Sequence, residues 1–150
     1  MRTRKVSRYW CDFCDKGGLQ KHAMAVHEKH CTLNPGRECR VCQIVDPERD
    51  SSFVKKTLPE LIALLPQISD YTPDGAEWYS DCTPEGAEWY RAIDAAVPIL
   101  RAATGDCPAC MMAALRQAKI PLLCATGFDF SAEMKSLFDD INAAENQALY

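Results

Sequence analysis

Six of the nine cysteines fall into three pairs in which two residues separate the two sulfurs. The pairs are Cys11 with Cys14, Cys39 with Cys42, and Cys107 with Cys110. A tight turn at this spacing points both sulfurs at one ion. The odd total argues against complete disulfide pairing, and residues 1–10 are basic with no apolar run of signal-peptide length. We therefore expect an intracellular, cytoplasmic protein whose reduced thiolates bind metal.

The first pair is followed by His27 and Cys31, which three residues separate. On a helix this spacing places the two side chains one turn apart on the same face. A hairpin that carries Cys11 and Cys14 and a helix that carries His27 and Cys31 would together close a tetrahedron around Zn²⁺.

Over residues 8–31 this pattern resembles the two-Cys two-His zinc-finger family, with Cys31 in place of the last His. The resemblance implies a small ββα-like finger. Tyr9 and Met24 stand where the family has an aromatic residue and Leu, but Gly18 stands at the position of its core Phe. We therefore expect thin packing inside the finger and support from the rest of the chain.

The other two pairs predict a second zinc site, which makes two Zn²⁺ per chain. Cys39 and Cys42 are expected to form a second knuckle, and Pro108 suits the first position of a helix that follows Cys107. The dipole of that helix favours thiolates at its start. A knuckle joined to a helix start suggests a treble-clef-like site of Cys39, Cys42, Cys107 and Cys110.

Other groupings of the cysteines stay open at this point. Cys11 and Cys14 could form a ribbon-like site with Cys39 and Cys42, which would leave His27 and Cys31 without a metal ion. Disulfides or metal-free thiols are a further alternative. His22 and His30 are interpreted as exposed helix residues, and Cys82 and Cys124 as small reduced core residues.

The rest of the chain predicts a mainly α fold. We expect a zinc finger with a basic N-terminal arm over residues 1–36 and an acidic helical domain over residues 37–150. Between them, Asn34-Pro35-Gly36-Arg37 favours a type II turn with a positive φ at Gly36. Thr57 and Glu60 form a capping-box pattern ahead of Leu61, Leu64 and Leu65.

An internal repeat follows, because residues 70–80 and 81–91 share eight of eleven positions. Each copy has the Thr-Pro-acid start of a helix and a Trp-Tyr pair. These pairs are interpreted as core anchors, with a partner-binding or base-stacking surface as the alternative. Pro98 is expected to kink or end the second copy's helix.

The last segment has helical periodicity. Asp129 or Ser131 can cap a helix whose apolar positions recur at helical spacing, and its other positions are mostly charged. The apolar positions are Met134, Leu137, Phe138 and Ile141. We expect a core helix with an acidic outer face.

Charge is uneven along the chain. Residues 1–44 hold nine Lys/Arg against four Asp/Glu, a balance of +5, and residues 45–150 hold eight against seventeen, a balance of −9. Zinc bound to three and to four thiolates would lower the total from −4 to about −7. The basic N-terminal region could contact phosphates. Because the whole protein is negatively charged, non-specific binding along DNA is not expected.

No catalytic motif is found: the chain lacks a Gly-rich phosphate loop, G-x-S-x-G, H-E-x-x-H and the zinc-deaminase pattern. A His-Asn-His nuclease is disfavoured because all three histidines precede Cys39. We therefore expect a non-enzymatic protein with no small-molecule substrate, and no segment is long enough to cross a membrane.

The remaining hypothesis is binding. Residues 1–31 offer candidate nucleic-acid contacts at Arg4, Lys5, Lys16, Gln20, Lys21 and His22. The resemblance places Gln20, Ala23 and Val26 at the family's base-reading positions, where Gln20 could read adenine and the other two offer at most methyl contacts. The stretch 27–42 also resembles short zinc-finger proteins of phage and prophage origin, which favours a small accessory factor. A protein-interaction module or inhibitor that docks a partner through the acidic helical face is the alternative.

Overall fold

The structure is a computed structural model that describes residues 5–45, 56–66, 84–122 and 125–147. These residues form two short strands and six helices. In chain order the elements are β1 (Tyr9–Trp10), β2 (Gly17–Gly18), α1 (Lys21–His30), α2 (Arg40–Val45), α3 (Leu58–Ile62), α4 (Pro84–Thr104), α5 (Pro108–Gln117) and α6 (Phe130–Gln147). The expected mainly α fold is confirmed. Arg4, the first repeat copy at 70–80, Cys82 and Cys124 lie outside the described residues.

The first three elements form the expected ββα finger. β1 and β2 pair antiparallel, with Tyr9 opposite Gly18 and Trp10 opposite Gly17, and α1 packs on both strands. Met24 packs beside Gly18, and its Sδ lies only 3.0 Å from where a Cβ on Gly18 would be. Met24 is 5% exposed, so its flexible side chain fills the space beside the glycine in the small core of the finger.

The finger is supported from outside, as expected. Leu33, beyond the finger's last ligand position, packs against its small core. The amide of Gln117 in α5 donates hydrogen bonds to the backbone oxygens of Thr32 (2.9 Å) and Asn34 (3.0 Å). Arg116 donates to the Thr32 hydroxyl at 2.9 Å. The segment after α1 is therefore attached to the middle of the chain.

The predicted turn at Asn34–Arg37 forms, but the predicted type was wrong. The N–H of Arg37 donates to the backbone oxygen of Asn34 at 3.2 Å, which closes the turn. Gly36 does not have a positive φ, so the turn is not type II. The Asn34 side chain accepts the N–H of Gly36 at 2.8 Å, and this local bond specifies the turn instead.

Helix α5 is the centre of the helical part. It packs against α3, α4 and α6, and seven of its ten residues are buried. The core around it includes Leu61 and Leu65, as expected, together with Trp89, Ile93 and Leu115. Trp89 is 2% exposed, so the Trp of the second repeat copy is a core anchor.

Helix α4 begins at Pro84, as the Thr-Pro pattern predicts, but it does not end at Pro98. It continues to Thr104 because Val97 and Leu100 on either side of Pro98 are buried in the core, which offsets one lost backbone hydrogen bond. Gly105 then ends the helix with φ of 59°.

Helix α6 differs from the expected core helix. Asp129 caps it by accepting the N–H of Ala132 at 3.0 Å, as expected. However, Met134, Leu137 and Ile141 are only half-buried and Phe138 is exposed. A partly buried ion pair between Arg101 and Glu133, with N–O distances of 3.0 and 2.6 Å, joins α6 to α4. Among the described residues, no helix combines the length and apolarity needed to cross a membrane.

Leu100 and Ile99 provide a matched test of this core. Leu100 is 0% exposed and its neighbour Ile99 is 55% exposed on the same helix. Leu100→Ala is expected to lower the free energy of unfolding by about 2–5 kcal/mol, because it opens a cavity in the core. Ile99→Ala should change it by less than about 0.5 kcal/mol. Urea unfolding followed by circular dichroism measures both, and equal effects would contradict the packing described.

Candidate metal centres

The finger brings its four predicted ligands together. Cys11 and Cys14 lie in the turn between β1 and β2, His27 lies in α1, and Cys31 directly follows that helix. Their ligand atoms all lie within 4.8 Å of one another, and Cys14 Sγ is 3.3 Å from His27 Nε2. The N–H of Phe13 donates to Cys11 Sγ at 3.4 Å, a bond that stabilises negative charge on sulfur. We call the two cysteines of the first pair, His27 and Cys31 the finger centre.

His27 is suited to act as a neutral ligand. Burial lowers the pKa of its imidazole, and the positive charge of Lys16 lowers it further. A metal ligand must be unprotonated, so a lowered pKa keeps the nitrogen lone pair available at neutral pH. Glu28 beside it accepts the N–H of Asp12 at 3.1 Å, which also fixes the turn between the cysteines.

The second predicted set also converges, although its two pairs are distant in sequence. Cys39 Sγ lies 3.6 Å from Cys107 Sγ, and Cys42 Sγ lies 3.8 Å from Cys110 Sγ. All four sulfurs are within 4.8 Å of one another. We call these four residues the four-cysteine centre. The ribbon-like alternative is not what the structure shows, and the seven described cysteines are not joined by disulfides.

The local structure around Cys39 differs from the expected knuckle. Cys39 immediately precedes α2 and Cys42 lies in its first turn, as Cys107 and Cys110 do at the start of α5. The N–H of Gln43 donates to the backbone oxygen of Cys39, and an equivalent bond joins the first turn of α5 to Cys107. Two helix N-termini therefore meet at the four-cysteine centre, and the positive ends of both dipoles favour thiolate charge there.

One cation that contacts the four-cysteine centre was missed from the sequence. The Nη1 of Arg37 donates to the backbone oxygen of Ala109 at 3.2 Å and lies 3.9 Å from Cys110 Sγ. The turn at Asn34–Arg37 places the Arg37 side chain. The one feature of the sequence that could have indicated this contact is a basic residue two positions before Cys39. Arg37 can partly neutralise a centre of four thiolates and orient the first turn of α5.

The geometry of both centres fits zinc. Four sulfurs placed about 2.3 Å from Zn²⁺ at tetrahedral corners lie about 3.8 Å from each other. The observed pairs at 3.6 and 3.8 Å match this separation. Cys-rich sets with one or no His are also the donors typical of structural zinc. Each centre can hold one metal ion with protein ligands alone.

The network of the four-cysteine centre favours ionisation of one thiol and disfavours ionisation of another. Hydrogen bonds from Cys107, then from Cys110 and Cys42, hold the pKa of Cys39 far below its ordinary value. The same network, led by the contact with Cys110, raises the pKa of Cys107. One thiolate therefore suppresses ionisation of the others, and a divalent cation is what allows all four to ionise together.

The candidate nucleic-acid residues that the structure describes lie on the outside of the finger. Lys5, Lys16, Gln20, Lys21 and His22 are all exposed. This placement makes them accessible to a ligand and keeps them out of both metal centres.

Two further side chains of the finger, His30 and Arg8, make contacts outside its metal centre. His30 is in neither metal centre, as expected, and its Nδ1 lies within hydrogen-bonding distance, 2.9 Å, of the backbone oxygen of Glu38. A contact of Arg8 with Trp10, 4.8 Å from the ring centroid, was missed from the sequence, although residues two apart on an extended chain share a face and this spacing could have signalled it.

Comparisons with protein-family models, with curated proteins and with solved structures find no match for this chain. Its function must therefore be inferred from its own residues and their geometry.

Arg37→Met is expected to weaken zinc binding at the four-cysteine centre by about 10- to 100-fold, because it removes a cation beside the sulfurs without removing a ligand. Arg40→Met is the matched control, since Arg40 is exposed at the start of α2. Competition with a chromophoric chelator measures both, and the finger centre should be unchanged. Equal affinities for the two variants would show that Arg37 plays no part in metal binding.

Proposed function

We propose that this chain is a non-catalytic, zinc-stabilised accessory protein whose N-terminal finger contacts nucleic acid, by itself or within a nucleic-acid-handling complex. Zinc is the metal proposed for both centres, with one ion in each. The ligand sets support this choice, because thiolate and imidazole donors at tetrahedral spacing suit Zn²⁺.

A structural role for the metals follows from the number of ligands. Each centre has four protein side chains, which fill a tetrahedral coordination shell. A catalytic zinc site keeps a position open for water or substrate. The proposal therefore assigns the two ions to folding, and assigns the function to the surfaces that they stabilise.

The observation that carries the nucleic-acid proposal is the basic outer surface of the finger. Lys5, Lys16 and Lys21 are exposed, and within the described residues none of them forms a salt bridge. Lys29, in contrast, pairs with Glu38 at 3.7 Å. In this part of the chain, lysines without a carboxylate partner leave positive charge available for phosphate oxygens.

Base reading through α1 has little support. Gln20 is exposed and can donate and accept at a base edge, but Ala23 and Val26 offer only apolar surface. A single finger also covers only about three base pairs. We therefore propose contacts that are mainly to the backbone, with weak sequence preference and a strong dependence on salt.

The alternative function, docking of a partner protein through the acidic helical part, is favoured by one observation. Helix α6 leaves Phe138 43% exposed next to the exposed carboxylates of Asp139 and Asp140. An amphipathic face of this composition would suit a basic partner segment. Under this alternative, the chain would not bind nucleic acid.

The double variant Lys16→Glu/Lys21→Glu is expected to weaken binding to a labelled oligonucleotide. Each lost phosphate contact should lower the slope of log affinity against log salt by about 1. Lys135→Glu reverses a charge that is 81% exposed on α6 and should leave affinity unchanged. Fluorescence anisotropy across a salt series measures these slopes, with zinc content verified for every variant.

Two outcomes would overturn the nucleic-acid proposal. The first is no binding of duplex or single-stranded oligonucleotides at low salt, which would leave partner docking through α6. The second is binding that Lys135→Glu weakens as much as the finger variant does, because the finger would then not be the contact surface.

A further inference from the structure

Trp10 is a large aromatic side chain on the outer face of the finger. It is 56% exposed, whereas Trp89 in the helical core is 2% exposed. Its neighbour Tyr9 packs against the finger's core, and successive residues of a strand point to opposite sides. Trp10 therefore points away from the small core that holds the metal ligands.

Gly17 holds the Trp10 ring in place. Gly17 is the cross-strand partner of Trp10, and a Cβ at Gly17 would lie 2.9 Å from Trp10 Cε3 and 3.0 Å from Cζ3. Any larger residue would push the ring away, so glycine allows it to lie against the opposite strand. The same position lies 3.0 Å from Arg8 Nε. The Trp10 ring is thus packed against the backbone of Gly17 in the protein without a ligand.

Arg8 places a cation over one face of the Trp10 ring. Its guanidinium carbon lies 4.8 Å from the centroid of the Trp10 ring, which is cation–π geometry. Indole rings and guanidinium planes are two of the groups on which unpaired bases stack. We call Arg8, Trp10 and Gly17 the stacking platform.

The charge around the stacking platform suits a phosphate backbone. Lys16 comes directly before Gly17, and its backbone oxygen accepts the N–H of Cys11 at 3.0 Å. Lys16 is exposed, but as the neighbour of Gly17 its side chain leaves the hairpin on the side opposite to Trp10. The cation at the platform itself is Arg8, which is exposed, and proteins bind single strands with bases on an aromatic ring and phosphates on such cations.

We infer that an unpaired base of a single-stranded nucleic acid stacks on the Trp10 ring while the guanidinium of Arg8 contacts the adjoining phosphate. This inference rests on the proposed function and narrows it to single strands. A base inside a duplex is already stacked on its neighbours, so the ring face gains little from a duplex. Ala23 and Val26 on α1 give no compensating polar contacts to bases.

The test compares Trp10→Leu, Trp10→Phe and Leu19→Ala in the zinc-loaded full chain. The probes are a labelled thymidine oligonucleotide of about twelve nucleotides and a duplex of the same length. Trp10→Leu should bind the single strand about 10- to 100-fold more weakly, with duplex affinity almost unchanged. Trp10→Phe should restore part of the loss. Leu19, 66% exposed in the same finger, is the matched apolar control and should have no effect.

A second measurement keeps Trp10 intact, in case Trp10→Leu loses its metal. In a Trp78→Phe chain the remaining indoles are Trp10 and the buried Trp89. Stacking should quench the fluorescence of Trp10 when the single strand is added, and the duplex should not. The same titration with Trp10→Phe in this background should show no quenching.

The outcomes separate the two proposals. Equal binding of both probes with no quenching, or an unchanged affinity in a zinc-loaded Trp10→Leu chain, would overturn the stacking inference and leave nucleic-acid binding by the lysines intact. Binding of neither probe would overturn the proposed function and the inference together. A single-strand preference that disappears in Trp10→Leu and partly returns in Trp10→Phe supports the inference.

Discussion

The mutual approach of four sulfurs at the four-cysteine centre is the constraint on which the rest of the structure depends. Cys39 and Cys42 at the start of α2 face Cys107 and Cys110 at the start of α5, and all four sulfurs lie within 4.8 Å. Four thiolates at this distance would repel one another, whereas one divalent cation can be bound by all four. A metal bound here would link two parts of the chain that are distant in sequence, and would fix the start of the helix around which the other helices pack.

The finger depends on this arrangement because its own core is small. Met24 fills the space beside Gly18 and is buried with two of the finger's cysteines. The chain after Cys31 is then bound to α5 by Gln117, and Arg37 connects it to the four-cysteine centre. The finger centre holds the strands and helix of the finger together. The four-cysteine centre holds the segment that attaches the finger to α5. The outer surface that carries Trp10 is separate from both centres, so it can serve for binding.

Most of the features that the sequence predicted are set by local rules. The spacing of the four finger ligands predicts that they converge, and Pro108 and Asp129 mark helix starts, as the structure shows. The four-cysteine centre is the exception: its pairs are distant in the chain, and only their shared two-residue spacing indicated that they belong together. The features that were missed depend on tertiary context. The residues after Cys39 form a helix that packs against the start of α5. Pro98 was expected to kink or end α4, and the burial of its neighbours is what excludes an end there. Helical periodicity shows which residues share the apolar face of a helix, but it does not show how much of that face other elements bury. The apolar face of α6 was therefore wrongly assigned to the core.

Native mass spectrometry of the full chain, purified without chelators, tests the central claim most directly. Two centres with four protein ligands each predict two Zn²⁺ per chain. Cys107→Ser should leave one ion, in the finger centre, and should loosen α5 without removing the finger's metal. A folded protein that carries no metal, or a mass lowered by hydrogen loss at bridged sulfurs, would contradict the account.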